Sequence, residues 1–456
     1  MSLPPAPTDA GKAPDHPRRS QFALLRQRRF LPFFLTQFGG ACNDNLFKNA
    51  LLVLLVSGAV AGERVDTLVN LAAGLFILPF FLFSPLAGQL ADKYDKARMI
   101  RWIKLAEIMI MVLAALAFQM RAWGPLLALL FAMGTHSAFF GPLKYAIIPQ
   151  HLHAEELVAG NAQVGMGTFV AILLGTIGGT LLAGRPDPAA GIGAAIILVA
   201  LLGWFASREI PAAPAAAPGL PLDWNPLRQL VALYRGIAPQ RTVFFAILGI
   251  SWFWALGASY LTQMPHFAMS VLGGTPPVIA LLLSVFVVGV AAGALLCARL
   301  SGPRIEIGLV PLGAIGLSLF GLDLSQAAAM VAAGTQRLGP LALSEHLPML
   351  RVLTDILLLG LSGGLYVVPL YAHVQAHTEP DRRARAIAFN NILNALFMVA
   401  ASLLGILLLG VAGLGMPGFF LTLALLNTAV AALLFARAPE FLSGMRASMA
   451  RRTRRR

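Results

Sequence analysis

The sequence predicts an all-α integral membrane protein with twelve transmembrane helices in two six-helix halves. Three observations carry that expectation. Of the 456 residues, 58% are hydrophobic and only 12% are charged, against about 25% charged residues in soluble domains. A chain this apolar needs lipid as its solvent. Twelve apolar runs recur along it, each near the ~20 residues that a spanning helix requires. The basic residues also gather at alternate ends of those runs. Of the 34 lysines and arginines, 28 fall on one predicted side, 5 on the other, and Lys48 lies within a span. That imbalance is the positive-inside pattern, and it puts both termini in the cytoplasm.

The predicted spans are 30–58, 67–90, 99–120, 124–146, 160–183, 190–206, 242–264, 277–299, 305–321, 351–373, 385–411 and 416–436. The first is too long for a signal-peptide core and reads as an uncleaved span. Between the ninth and tenth spans, 322–350 holds only apolar pieces too short to cross, so it reads as a long outward loop with an interfacial helix. The domain reading follows: a cytoplasmic tail at 1–29, a six-helix half at 30–206, a cytoplasmic linker at 207–241, a second half at 242–436 and a basic tail at 437–456. Pro211, Pro214, Pro218 and Pro221 make the linker semi-extended, and 227–235 is basic and amphipathic, suited to the inner membrane surface.

Cys42 and Cys297 both sit in apolar runs and read as buried free thiols. The net charge of +14 comes largely from clusters flanking the spans, Arg18 to Arg29 and Arg451 to Arg456. Such clusters set topology and touch anionic headgroups. No basic soluble domain accompanies them, so no nucleic-acid partner is expected. A weak internal echo suggests duplication. Phe140-Gly141-Pro142-Leu143 ends span four, Val368-Pro369-Leu370 ends span ten, and Asn161 and Asn390 open the spans that follow.

Between spans two and three runs Gly88-Gln-Leu-Ala-Asp92-Lys-Tyr-Asp-Lys-Ala-Arg98. Gly88 allows close helix approach, and Asp92 with Arg98 reads as an inner latch between alternating states, or else as a solvated loop. The spacing resembles the loop-two motif of the major facilitator superfamily, which implies a carrier with the major facilitator fold. In the second half, Gly293 through Arg304 echoes the motif, with Cys297 where the acid would stand.

Charged residues inside spans are costly and read as functional by default. Span one carries Asn43, Asp44, Asn45, Lys48 and Asn49. Asp44 and Lys48 share a helix face, and Asp44 lies near mid-membrane, where carriers bind substrate. They form either a cavity site for a cation or polar headgroup, or an internal ion pair. The asparagines crowding one turn favour the cavity. Lys144 is a phosphate or carboxylate partner at the inner cavity mouth, or a snorkelling lysine. His136 reads as hydrogen-bonded core rather than a proton relay, and Lys104 and Glu107 as a pair. Asp355 is an outer gate or simply wetted. Trp254, within Ser251-Trp-Phe-Trp254, lines an acyl-chain path or packs the core. No metal or cofactor is expected. The phosphate-cradling loop is missing, since the only Gly-Lys pair, Gly11-Lys12, is followed by alanine.

The runs Gln37 to Asn45, Phe140 to Tyr145 and Gly160-Asn161-Ala resemble the bacterial lysophospholipid transporter family, with similarity over most of 30–436. The resemblance implies flipping of lysophosphatidylethanolamine and related lysolipids from the outer to the inner leaflet of the bacterial inner membrane. It also implies reacylation by a cytoplasmic acyltransferase with acyl-carrier-protein synthetase activity. Asp44 and Lys144 match polar positions of the family, whereas span seven lacks a charge found in some members. Two rival readings remain: a proton-coupled exporter of small amphiphiles, with Asp44 or Asp355 carrying the proton, and a membrane-embedded acyltransferase. No histidine is followed five residues on by aspartate, which weighs against the enzyme.

Overall fold

The computed structural model describes residues 21–56, 65–302, 304–331, 339–340 and 347–445. The first twenty residues of the expected N-terminal tail, the end of the first predicted span, most of 331–346 and the basic tail beyond 445 lie outside the described residues.

Among the described residues twelve long helices follow one another: α1 (Leu31–Leu54), α2 (Val65–Lys93), α3 (Lys96–Gln119), α4 (Trp123–Ala146), α5 (Leu157–Ala183), α6 (Pro188–Arg208), α7 (Arg241–His266), α8 (Pro276–Ser301), α9 (Leu309–Met330), α10 (Leu347–His377), α11 (Arg383–Gly405) and α12 (Met416–Arg437). Among the described residues ten helices are long and apolar enough to cross a membrane. The remaining two, α1 and α3, carry acid and base in their interiors, at Asp44 and Lys48 and at Lys104 and Glu107.

Packing repeats itself between the two sets of six. In the first, α1 packs on α5 and α6, α2 on α4, and α3 on α4 and α6; in the second, α7 packs on α11 and α12, α8 on α10, and α9 on α10 and α12. Across the middle, α2 meets α11 and α5 meets α8. Exchanging the two sets maps each of these contacts onto another, so the internal echo in the sequence is a pseudo-two-fold in space. Polarity is inverted relative to a soluble protein. Leucines such as Leu181 and Leu198 are exposed, while Gln37, Asn43, Lys104, Glu107 and Gln163 are buried. The outward apolar surface meets lipid, and inward polar groups find protein partners.

The ninth helix corrects the sequence reading. It runs nine residues past the predicted end, and 322–330 is helical rather than loop. The charge that this stretch carries, Asp323, is paired with Arg351 of α10. The partner lowers the cost of the charge. The expected interfacial helix falls mostly outside the described residues.

The linker is a strap across one end of the bundle, hereafter the linker face. Lys96 N donates to Ala213 O (2.9 Å) and Ala217 N to Asp92 O (2.8 Å). Lys93 Nζ donates to Leu220 O (2.8 Å), and Asp223 N to Gln89 Oε1 (2.9 Å). Asn225 then caps the linker helix Pro226–Ile237. The Arg228 guanidinium, 2.6 Å from Asp223, holds that carboxyl down to about 2, so it stays ionised at neutral pH.

Small residues set how closely α1 and α5 approach. A Cβ on Gly175 would run into the Cys42 carbonyl and one on Gly179 into the Leu46 carbonyl, both backbone atoms that cannot step aside. Gly175→Val is expected to destabilise the fold by about 1–3 kcal/mol, the usual overpacking range. The same change at Gly165, which faces open space, should cost under about 0.5 kcal/mol. Thermal unfolding in detergent checks the contrast.

Candidate functional site

The linker face is shut by contacts between the two sets of helices. Asp92, at the last turn of α2, is fully buried. Its carboxylate accepts from Ala384 N (3.1 Å), Arg385 N (3.3 Å) and Arg385 Nε (3.0 Å) at the start of α11. An acid from one half thus sits at a helix N-terminus of the other, where free amides and the helix dipole favour negative charge. Gly88, one turn earlier, makes the approach possible. A Cβ there would lie 2.7 Å from Ala388 Cβ and 3.0 Å from Arg385 Cα. The latch partner is therefore Arg385 and not Arg98, as the sequence suggested. Arg98 is exposed, and Asp95 caps its backbone N–H (2.7 Å). The physical reason is direction: Arg98 lies on the lipid-facing side of α3, while Asp92 faces α11.

Two further layers cross the same seam. Asn161 of α5 and Gln375 of α10 exchange reciprocal amide bonds of 2.6 and 3.0 Å, and Gln375 Nε2 also donates to Tyr145 O (3.1 Å). Next to them the Tyr145 and Tyr371 rings stack at 4.1 Å. Trp254 Nε1 donates to Tyr371 Oη (3.0 Å), and its ring stacks on Phe169 of α5 at 5.7 Å. Phe169 also meets Phe253 and Phe286 edge-on. Trp254 therefore belongs to an aromatic layer joining the halves.

The asparagine-rich turn of α1 does not converge on one point. Successive residues lie about 100° apart around a helix, and Asn43, Asp44 and Asn45 separate accordingly. Asn43 is buried and donates to Glu107 Oε1 of α3 (2.8 Å). Asn45 donates to Ala41 O of its own helix, and Asn49 to Asn45 O and to Thr176 of α5. Asp44 turns to α4, where Ser137 donates to its Oδ2 (2.7 Å), while Oδ1 is buried without a hydrogen-bond partner. Asp44 and Lys48 do not form the ion pair that is the alternative to a cavity site. Instead the Lys48 ammonium lies over the Phe76 ring, 5.3 Å from its centroid.

Lys144 is half-buried and has no carboxylate partner among the described residues. Its Nζ donates to Thr168 Oγ1 of α5 (2.7 Å), and the same hydroxyl lies 3.1 Å from Gln37 Oε1 of α1. Gln37, Asp44 and Lys48 share one face of α1, at i, i+7 and i+11. The structure thus groups Asp44 with Ser137, and Lys144 with Thr168 and Gln37, across α1, α4 and α5. Ser137, Thr168 and Gln375 carry no charge and match no motif, so nothing in the sequence singled them out.

Beside this group is a closed network. Lys104 Nζ lies 2.5 Å from Glu107 Oε2, as expected of the pair, and His136 Nε2 is 3.2 Å from the same oxygen. With Asn43, two donors and a histidine surround one buried carboxylate. Gly40 and Gly203 leave room for the Lys104 ammonium, since a Cβ on either would meet it at 2.8 or 3.2 Å. Asp355 is buried rather than wetted, one turn from Arg351.

Breaking a buried charge pair by removing one partner costs about 3–5 kcal/mol. Asp92→Asn and Gly88→Val are therefore each expected to loosen the linker face while both halves stay folded. Hydrogen exchange checks this: amides at the start of α11 should lose protection in both variants, and those of α9 and α12 should not.

A profile of the Major Facilitator Superfamily matches residues 33–344. The lysophospholipid transporter LplT of Cronobacter sakazakii is 28% identical over 376 residues, covering 81% of this chain and 85% of that protein. The LplT of Serratia proteamaculans is 26% identical over 378 residues, with the same coverage. Among solved structures, the human organic anion transporter MFSD10 superposes with a TM-score of 0.70 at 16% identity, covering 89% of this chain and 99% of that one. The Escherichia coli fucose:proton symporter FucP superposes with a TM-score of 0.67 at 13% identity, covering 90% and 99%. The matched profile spans more than half of the sequence, and the helix packing is that of a twelve-helix carrier: the chain belongs to the Major Facilitator Superfamily and is a secondary-type transporter rather than an enzyme.

Proposed function

We propose that this chain moves lysophospholipids, lysophosphatidylethanolamine among them, from the outer to the inner leaflet of a bacterial inner membrane. There they would be reacylated by a cytoplasmic acyltransferase with acyl-carrier-protein synthetase activity. In this reading the two halves, 30–206 and 242–436, rock about the linker 207–241, both termini are cytoplasmic, and the linker face is the cytoplasmic face. The described arrangement, with that face shut by Asp92, Arg385 and the aromatic layer, is then the outward-facing state.

The observation that carries the reading is a pair of unneutralised charges in the first half, Asp44 in the middle of α1 and Lys144 in the last turn of α4. Asp44 keeps one carboxylate oxygen without a donor, and Lys144 meets the Thr168 hydroxyl and the Tyr145 ring but, among the described residues, no carboxylate. Opposite charges held apart suit a zwitterionic headgroup, with ammonium to Asp44 and phosphate to Lys144, each bond being charge-assisted. Asn45 and Lys48 flank that site, and Trp254 floors it, with an apolar path for the single tail. Asn43 supports the site indirectly, by holding Glu107. Gly88, Asp92 and Arg385 form the gate. The printed names of the relatives point to the same substrate class. The free Asp44 oxygen also suits the second reading, proton-coupled export of small amphiphiles, because a carboxylate oxygen without a donor can take a proton.

Liposomes containing the purified chain and a fluorescent lysophosphatidylethanolamine test this, with leaflet exposure followed by quencher. Losing a hydrogen bond to a charged group costs about 1.5–3 kcal/mol, or roughly 10- to 150-fold. Asp44→Asn and Lys144→Gln should each slow flipping by such a factor. Absence of flipping by the unmodified chain, even with an imposed proton gradient, would remove the lysolipid reading. Flipping that runs only with the gradient would favour proton coupling.

A further inference from the structure

The reassigned Arg98 takes part in a different feature. At the linker face, α3 and α6 leave between them a cavity of about 640 Å3, lined by Arg98, Arg101, Trp102, Leu105, Trp204 and Arg208. It lies on the outer side of the bundle. On α3, Ile100, Lys104, Glu107 and Met111 are buried, whereas Arg98, Trp102, Leu105 and Met109 are exposed on the opposite face.

Three guanidiniums meet here without an acid. Among the described residues none of the three pairs with a carboxylate. The acids closest in sequence are engaged elsewhere. Asp95 accepts from the backbone N–H groups of Arg98 and Ala213 (2.7 and 3.0 Å), and Glu209 pairs with Arg28 (3.3 Å). Arg101 donates one N–H to Ile210 O (3.0 Å), and its Nε is buried with no acceptor. Arg208 stacks on the Trp204 ring, 5.2 Å from its centroid. Like charges are gathered around an empty space, and one buried donor has nothing to donate to. An anion resolves both, and planar guanidinium forks match phosphate oxygens.

The rest of the lining identifies the carrier of that phosphate. Two indoles, Trp102 and Trp204, line the cavity, the residue type that gathers at membrane interfaces. Beyond them both helices present exposed apolar residues, Leu105 and Met109 on α3 and Leu198 and Leu202 on α6. A soluble anion would make no use of this surface. We infer that the cavity is a headgroup site for an anionic membrane phospholipid, with phosphate among Arg98, Arg101 and Arg208 and acyl chains along α3 and α6. The bound lipid is not the transported one. It ties α3 to α6 and, through the Arg101 bond to Ile210, to the start of the linker strap. The inference stands whether or not the cargo is a lysolipid.

The test is quenching of tryptophan fluorescence in the purified full-length chain by brominated phosphatidylglycerol against brominated phosphatidylethanolamine. Trp102→Phe reports how much of the signal arises at the site. The anionic lipid should quench at the lower lipid fraction. Each basic residue near the surface contributes about a fivefold preference, so the double change R98Q/R208Q should weaken the preference at least tenfold, while R98K/R208K should keep most of it. Arg208→Gln alone, on an exposed side chain, gives the same reading at about fivefold should the pair fail to fold. Equal quenching by the two lipids, or a preference that survives the glutamine changes, would overturn the proposal. Displacement of the lipid by millimolar inorganic phosphate would assign the cavity to free anions and overturn it equally.

Discussion

A buried carboxylate must be satisfied, and in this chain Asp92 finds its satisfaction only across the seam. Three donors from the start of α11 surround it, two of them backbone amides that no side-chain rotation can withdraw. The latch therefore demands rigid-body register between α2 and α11. Gly88 must lie against Ala388, and the strap that bonds the Asp92 carbonyl must lie over the same loop. Once that register is fixed, the amide pair of Asn161 and Gln375 and the stack of Tyr145 on Tyr371 come within reach. The closure is cooperative: each layer presupposes the backbone placement that the layer below it imposes.

A membrane interior also punishes unpaired charge, and the first half shows two responses. Glu107 is fully enclosed by Lys104, Asn43 and His136, a self-contained network that fastens α1, α3 and α4. Asp44 and Lys144 are left with hydroxyl partners, which satisfy geometry but not charge. The contrast separates a carboxylate enclosed by charged and amide partners from two charges met by hydroxyls. Both kinds sit within one or two turns of each other, so position along the chain does not distinguish them.

This is also why the sequence revealed the fold more fully than the site. Apolar length and the distribution of arginines are properties of whole segments, and eleven helices fall close to their predicted bounds. The exception, α9, ran on because Asp323 has a partner twenty-eight residues away, beyond any local pattern. The site depends on such distant partners throughout. Asn43 and Asp44 are neighbours in sequence but point to different helices. Asp92 reads as pairing with Arg98 six residues on, whereas its partner stands 293 residues away. Spacing along a helix shows which residues share a face, and only packing shows what that face meets.

The two seams between the halves are related by the pseudo-two-fold, yet they are chemically unequal. At the position of the second half that answers to Asp92 stands Cys297, buried, with only a weak contact to Ser301 of its own helix. One seam is thus fastened by an ion pair at a helix end, while its mate is without the acid that would do the same. A clasp on one edge of a box turns the other edge into its opening. If the halves part at the linker face, the α5–α8 side lacks a carboxylate at the position of Asp92, so separation would spread from that edge as a wedge. A path that opens as a wedge reaches lipid sideways before it reaches water axially. That geometry accommodates a cargo whose tail never leaves the bilayer while its head crosses.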